Sequence, residues 1–140
     1  MSTGENKAIV RRLLDEIVNQ RNLALVDEVV AGNCVFHTAG GQEVNGPEVL
    51  KQLLTTFLDA FANFHVTIED MIGEGDKVVV RFTETGTHQG EFEGIAPTGK
   101  QVTWAEIAIF RMAGGRIVEG WMVEDRLGLM QQMGAIPTPE

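Results

Sequence analysis

The sequence of 140 residues contains no tyrosine, one cysteine and no long apolar run. Without tyrosine, the chain has no phenol group that could serve as an acid. The single cysteine, Cys34, cannot form an internal disulfide bond and suits a reducing compartment. No apolar stretch approaches the roughly 18 residues that a membrane-spanning helix needs, so we expect no membrane partner.

Positive charge is also scarce. The 11 lysines and arginines face 20 aspartates and glutamates, which gives a formal net charge of -9. Such a surface repels phosphate backbones, so we expect no nucleic-acid partner. The first ten residues lack a basic segment followed by an apolar run, which predicts no signal peptide and a cytoplasmic protein. No phosphate loop or dinucleotide fingerprint is present.

The length and the ordinary soluble composition, 44% apolar and 22% charged, predict one domain over residues 1–140. Apolar residues at four-residue spacing predict a helix over residues 5–22. A second helix is expected over residues 23–31, capped by Asn22 and ended by Gly32, and a third over residues 47–63. A short last helix covers residues 126–134.

Five segments alternate or are rich in β-branched residues, which predicts strands. They cover residues 34–38, 64–72, 77–88, 101–112 and 116–124. Because the helices come before a run of hairpins, we expect an α+β fold with a curved antiparallel sheet and helices on one face. The hollow between the two layers is the expected small-molecule site.

The segment "VVVRFTETGTHQGEFEGIAPTGKQVTWAEIAIFRMAGGRIVEGW", followed by "DRLGLMQQMG", resembles the SnoaL-like polyketide (ester) cyclase family of the nuclear-transport-factor-2-like superfamily. The resemblance covers nearly the whole chain. It implies a cystatin-like cone and a cofactor-independent aldol or proton-transfer step on an apolar carbonyl-bearing substrate.

The same resemblance implies where the catalytic groups stand. The acid/base aspartate of the family corresponds to Met122, its supporting histidine to Ala108 and a neighbouring glutamine to Glu106. Many relatives carry a histidine at the position of Gly120. This chain therefore replaces the usual catalytic aspartate with a thioether, which cannot exchange protons.

Side chains alternate between the two faces of a strand, so Trp104, Glu106, Ala108 and Phe110 share one face. If this face lines the hollow, Glu106 is a lone carboxyl group among apolar neighbours. Burial would raise its pKa and make it a usable base. The alternative is that Glu106 lies in solvent or pairs with Arg81.

Other residues are candidates for the same site. His37 is a second candidate acid or base, whereas His65 and His88 are expected to be structural, and their spacing does not indicate a metal site. Arg81 either pairs with a carboxylate or anchors the ligand. The expected wall of the hollow consists of Trp104, Met122, Ala108, Gly120, Phe57 and Phe61.

The acidic pair Glu124–Asp125 stands between the last strand and the last helix. An aspartate at this position accepts backbone N–H bonds as a helix cap. We therefore interpret the pair as architecture rather than chemistry.

Two functions remain open, an enzyme with Glu106 or His37 as base and a non-catalytic small-molecule-binding or interaction module. The outward-facing residues Ile107, Ile109, Trp121 and Val123 predict an apolar outer sheet surface. Such a surface normally meets a partner, which predicts a homodimer.

Overall fold

The computed structural model describes residues 2–139, which form four helices and a six-stranded sheet with an open edge at each end. Helix α1 covers Thr3–Arg12 and continues as a π-helix over Leu13–Asn19. Helices α2, α3 and α4 cover Val26–Val29, Pro47–Ala60 and Arg126–Gln132. None of the described helices is long and apolar enough to cross a membrane.

The six strands are β1 (Val30–His37), β2 (Glu43–Asn45), β3 (Phe61–Glu74), β4 (Lys77–His88), β5 (Gln101–Ala113) and β6 (Arg116–Glu124). Their order across the sheet is β2-β1-β6-β5-β4-β3. The helices cover the concave face, where the apolar core lies. The predicted α+β cone is confirmed.

One strand pair differs from the predicted antiparallel sheet, because β1 lies parallel to β6, with Phe36 opposite Gly120. All other neighbouring strands are antiparallel. Alternation in a sequence reports which face a side chain occupies and carries no information on strand direction. The predicted loop over residues 39–46 also contains the short strand β2, which pairs with β1 at the sheet edge.

All four predicted helices end two or three residues earlier than expected, and two of them are followed directly by a strand. The third helix stops at Ala60, and Phe61 already has extended backbone angles as the first residue of β3, where it pairs with His88 of β4. The second ends at Val29, so Gly32 lies inside β1, and Asn22 makes no side-chain capping bond. In both places, pairing with a neighbouring strand determines the backbone where the apolar pattern alone favoured a longer helix.

The outer face of the sheet carries the four apolar residues that the alternation predicts. The exposed fraction is 72% for Val123, 49% for Ile107, and 37% for both Ile109 and Trp121. Adjacent pairs are in register across β5 and β6, Ile107 with Val123 and Ile109 with Trp121. They therefore form one contiguous apolar surface, which we call the outer patch.

We expect the protein to sediment at about twice the 15.3 kDa of one chain, because the outer patch would be covered in a homodimer. Val123→Lys should shift the equilibrium towards the monomer, since it places a charge at the most exposed position of the patch. Leu127→Lys is the control, because Leu127 is also exposed, to 58%, but lies on α4. A wild-type monomer at micromolar concentration would contradict the prediction.

A second prediction concerns the start of α4, where Oδ1 of Asp125 accepts a hydrogen bond from the backbone N–H of Gly128 at 2.8 Å. This is the predicted cap. Asp125→Ala should lower the free energy of unfolding by about 0.5–2 kcal/mol, whereas Asp125→Asn should retain most of it, because asparagine caps equally well. Urea unfolding measures both. A loss in Asp125→Asn as large as in Asp125→Ala would rule out a simple cap.

Candidate active site

A cavity of about 290 Å³ lies between the helices and the concave face of the sheet. Its walls are mostly apolar. The helices contribute residues such as Leu14, Leu50, Leu54 and Phe57, and the sheet contributes Phe82, Phe110 and Met122. Polar groups gather at one end, where Glu84, Glu106, Glu124 and Arg126 line the wall. An apolar cavity with a few convergent polar groups is the usual form of a small-molecule site.

The three glutamates come from three adjacent strands. Glu106 on the central strand β5 lies opposite Glu124 of β6 and opposite Phe82 of β4, two residues from Glu84. One carboxylate oxygen of each glutamate lies within 4.8 Å of the others. We call this group the carboxylate cluster.

Glu124 is the member of the cluster that the protein itself neutralises. Its Oε1 accepts from Nε of Arg126 at 2.7 Å, and its Oε2 accepts from the indole N–H of Trp104 at 3.2 Å. Arg126 also pairs with Glu93 at 2.9 Å and lies over the ring of Phe92. Both oxygens of Glu124 are thus bonded, and its charge is compensated.

The other two glutamates have raised pKa values. Burial is the largest cause for Glu84, whose pKa lies well above 4.5, and its pairing with Glu106 adds to the shift. Burial also raises the pKa of Glu106, to about 7. The hydrogen bond from Glu84 opposes that rise and the charge of Glu124 reinforces it.

We infer from the two pKa shifts that Glu84 and Glu106 share a proton. Two carboxyl groups bond to each other only when one of them is protonated, and Glu84 is the more deeply buried, with 4% of its surface exposed. Neutral Glu84 donates to Glu106, which leaves Glu106 as a carboxylate with a pKa near neutrality. That is the property of a general base at physiological pH.

Of the residues predicted for the site, Glu106, Met122 and Phe57 line the cavity. Trp104 does not line it but lies directly behind the wall, where its ring is 6.4 Å from that of Phe57 and its N–H holds Glu124. Trp104 thus acts on the cavity through its neighbours.

The expectation that His37 reaches the cavity is wrong. Phe36 points inwards, so the next residue in the strand points outwards. His37 stacks on Trp121 on the outer face, with ring centroids 5.6 Å apart, and its Nε2 lies 2.8 Å from the carboxylate of Glu119. It forms a hydrogen-bonded group on the outer face and does not line the cavity.

Arg81 also lies on the outer face. Its Nε donates to Oδ2 of Asp70 at 2.8 Å, and about half of its side chain is exposed. The alternation of β4 explains this placement, because Val80 and Phe82 on either side are buried. Neither the proposed pair with Glu106 nor the proposed ligand contact forms.

Three further predicted wall residues are packed inside the core and do not line the cavity, namely Ala108, Gly120 and Phe61. A Cβ atom at Gly120 would lie 2.6 Å from Cδ1 of Phe36. A histidine at this position would therefore collide with the core of this chain. Phe61 packs against Trp104 and His88 instead.

Sequence reasoning missed Glu84 and Arg126, and it assigned Glu124 to architecture together with Asp125. One signal was available for Glu84, since it continues the inward-facing series Val78, Val80 and Phe82 as a carboxylate. Glu124 shares the inward phase of Met122. Asp125 thus forms the predicted cap, whereas Glu124 lines the cavity.

The carboxylate cluster is the one group within residues 2–139 whose spacing would suit a metal ion. Arg126 and Trp104 already occupy both oxygens of Glu124, and the shared proton joins the other two residues. His65 is exposed, and His88 is buried with its Nδ1 held by Thr98, both outside the cluster. The donor set is thus better matched to proton transfer than to a cation.

Residues 8–133 match the family model of the SnoaL-like polyketide cyclases. No curated protein sequence matches the chain. Solved structures are similar over nearly the full length.

AclR from Streptomyces galilaeus, for which a hydroxylase activity is proposed, is 29% identical, with a TM-score of 0.88 over 99% of this chain and 87% of AclR. A SnoaL-like protein from Jannaschia sp. CCS1, proposed to be a polyketide cyclase, is 27% identical, with a TM-score of 0.89 over 96% and 95%. A proposed polyketide cyclase from Bacillus cereus ATCC 10987 is 31% identical, with a TM-score of 0.79 over 94% and 82%.

The raised pKa of Glu106 predicts how stability depends on pH. Because the folded protein holds this proton more tightly than the unfolded chain, the free energy of unfolding should fall as the pH rises from about 4.5 through about 7. The raised pKa of Glu84 acts in the same direction. Glu106→Gln should flatten this slope. At pH 8 its free energy of unfolding should exceed that of the wild type by about 1–3 kcal/mol.

Urea unfolding at several pH values measures the slope. Glu74→Gln is the matched control, because Glu74 is exposed and its substitution should leave the slope unchanged. Equal slopes in the wild type and Glu106→Gln would show that Glu106 titrates normally.

Proposed function

Because the chain belongs to the SnoaL-like polyketide cyclase family, we propose that it is a cofactor-independent enzyme that transfers a proton on an apolar, carbonyl-bearing small molecule. The observation that carries this proposal is the position of Glu106. It lies at the polar end of an apolar cavity with a pKa raised to about 7. Glu106 is the base in this proposal.

The proposed step begins with the substrate carbon next to the carbonyl group at Glu106. The carboxylate removes a proton from that carbon, and the electron pair of the C–H bond moves into an enolate whose charge rests on the carbonyl oxygen. In a cyclisation, the enolate carbon then forms a C–C bond to a second carbonyl group of the same molecule. The resulting alkoxide takes back the proton from Glu106, so the enzyme ends unchanged.

The neighbours of Glu106 suit this role. Neutral Glu84 places no second negative charge beside the base, and Arg126 compensates Glu124. The apolar wall, including Met122 and Phe57, keeps water from Glu106 and would contact the body of the substrate. Met122 has no proton to exchange, so in this proposal Glu106 on β5 transfers the proton.

The second candidate is a small-molecule-binding module without turnover. One observation favours it, the combination of Met122, Ala108 and Gly120 at positions where the family carries ionisable groups. In this case the cavity binds the same class of ligand, and the carboxylate cluster only orients it.

Three partner and location predictions belong to the proposal. The homodimer would form through the outer patch. The net charge of -9 argues against nucleic acid as a partner. Buried, unpaired Cys34 fits a cytoplasmic location.

Deuterium exchange tests the proton transfer without knowledge of the natural substrate. We expect the wild type to accelerate exchange of the protons next to the carbonyl group of 4-phenylbutan-2-one in D₂O, followed by NMR. The rate should rise with pH through about 7, as Glu106 loses its proton. Glu106→Gln should lower it by about 10²–10⁴-fold, because the amide cannot accept the proton.

Glu74→Gln again serves as the control for the loss of a surface carboxylate. Equal exchange by the wild type and Glu106→Gln would remove Glu106 as the base. Binding of the ketone without exchange by the wild type would favour the binding module.

Met122→Asp tests the apolar wall in the same assay. The variant should bind the ketone at least about tenfold more weakly, because it introduces a charged group into a dry cavity. Met122→Leu, which keeps the volume and the apolar character, should bind as the wild type does. Unchanged binding by Met122→Asp would mean that this side chain does not contact the ligand.

A further inference from the structure

The hydrogen bonds of the carboxylate cluster are incomplete on one side. Within residues 2–139, the N–H and O–H donors that reach the cluster are those of Arg126 and Trp104, and both bond Glu124. Neither of them donates to Glu84 or Glu106. Buried Oε1 of Glu84 has no hydrogen-bond partner. A buried carboxyl oxygen without a donor is destabilising, so this end of the cavity is short of donors.

The shared proton does not fill this gap. It bonds one oxygen of Glu84 to one oxygen of Glu106, which leaves one oxygen of each carboxyl group without a donor. Elsewhere in the wall, the hydroxyl groups of Thr38 and Thr56 donate to backbone carbonyl groups nearby, and the exposed amide of Gln42 makes no hydrogen bond to the cluster. The missing donors therefore have to come from whatever fills the cavity.

We propose that the ligand carries a hydroxyl group as well as its carbonyl group, and that this hydroxyl donates a hydrogen bond to the carboxyl group of Glu84. This proposal rests on the proposed function, because it takes Glu106 as the base that removes the proton from the C–H bond of the substrate. Glu84 is then the acceptor that remains. The substrate class becomes an apolar hydroxy-carbonyl compound.

The charges of the site favour a neutral donor over a cationic one. Arg126 already compensates Glu124, and Glu84 is held in its neutral form by burial. An ammonium group would have to leave water for a cavity with mostly apolar walls. A neutral hydroxyl group supplies the missing donor without that cost.

The size of the cavity guides the choice of probes. A volume of about 290 Å³ holds about ten non-hydrogen atoms at the roughly 30 Å³ that one water molecule occupies in the liquid. We therefore compare 3-phenylpropan-1-ol with 1-fluoro-3-phenylpropane, in which fluorine replaces the hydroxyl group and cannot donate. The third probe, 3-phenylpropylamine, presents a cation on the same body.

Dissociation constants are measured by calorimetry at pH 7.5 for the wild type and for Glu84→Gln, Glu84→Met and Glu74→Gln. The wild type and the Glu74→Gln control should bind the alcohol at least about tenfold more tightly than the fluoride. Glu84→Met should lose this preference because it has no acceptor. Glu84→Gln should keep it, since its amide N–H replaces the shared proton and its carbonyl oxygen still accepts.

Two results would overturn the proposal. Equal affinity of the wild type for the alcohol and the fluoride would show that no donor is recognised. Tighter binding of the amine than of the alcohol, lost in Glu84→Gln, would show that the site takes a cation.

Difference infrared spectra provide a second readout on the wild type that does not depend on the folding of Glu84→Met. The carboxylic acid C=O band should shift to lower frequency with the alcohol and stay unshifted with the fluoride, and Glu84→Gln should lack the shift. An unshifted band in the presence of bound alcohol would contradict the contact with Glu84. Because these probes have no carbonyl group, the result is independent of the exchange reaction that tests Glu106.

Discussion

The hydrogen-bond register of β5 with β4 and β6 is the constraint on which the site depends. On the β6 side it places Glu106 opposite Glu124. On the β4 side it places Glu106 opposite Phe82, two residues before Glu84. All three glutamates lie on the concave face. A shift of one residue would turn a glutamate out to solvent and bring an outer-patch residue into the cavity. The apolar core beneath the helices fixes that register, since buried residues precede and follow Glu84 and Glu106 on the same face.

Compensation of charge then decides what the three glutamates can do. Three ionised carboxylates at this spacing would repel each other strongly in a cavity of low polarity. Arg126, held between Glu124 and Glu93, removes one charge, and the shared proton of Glu84 and Glu106 removes another. What remains is one carboxylate, Glu106, poised near neutral pH. Without Arg126 at the start of α4, the charge of Glu124 would stay uncompensated beside Glu106. The base on β5 therefore depends on Arg126.

In this fold, ionisable groups can face the same cavity from different strands. Met122 and Gly120 occupy β6 positions where the family resemblance implies an aspartate and a histidine, and Gly120 is enclosed so tightly that no side chain fits. The carboxyl groups of β4 and β5 face the same cavity from the neighbouring strands. A proton-transfer group thus remains available at the polar end of the cavity, although the strand that supplies it differs.

The sequence by itself determined the fold class, the two sets of residues that share a face in β5 and β6, and the cap at Asp125. These depend on local periodicity and on neighbours in the chain, which a sequence displays directly. Only the tertiary structure decided that β1 runs parallel to β6, that His37 and Arg81 face outwards, and that Glu84 and Arg126 complete the site. Each of these depends on which strands lie side by side. A carboxyl group acquires its pKa from groups that the chain brings close in space, and the groups that shift Glu84 and Glu106 lie 18 to 42 positions from them in the sequence.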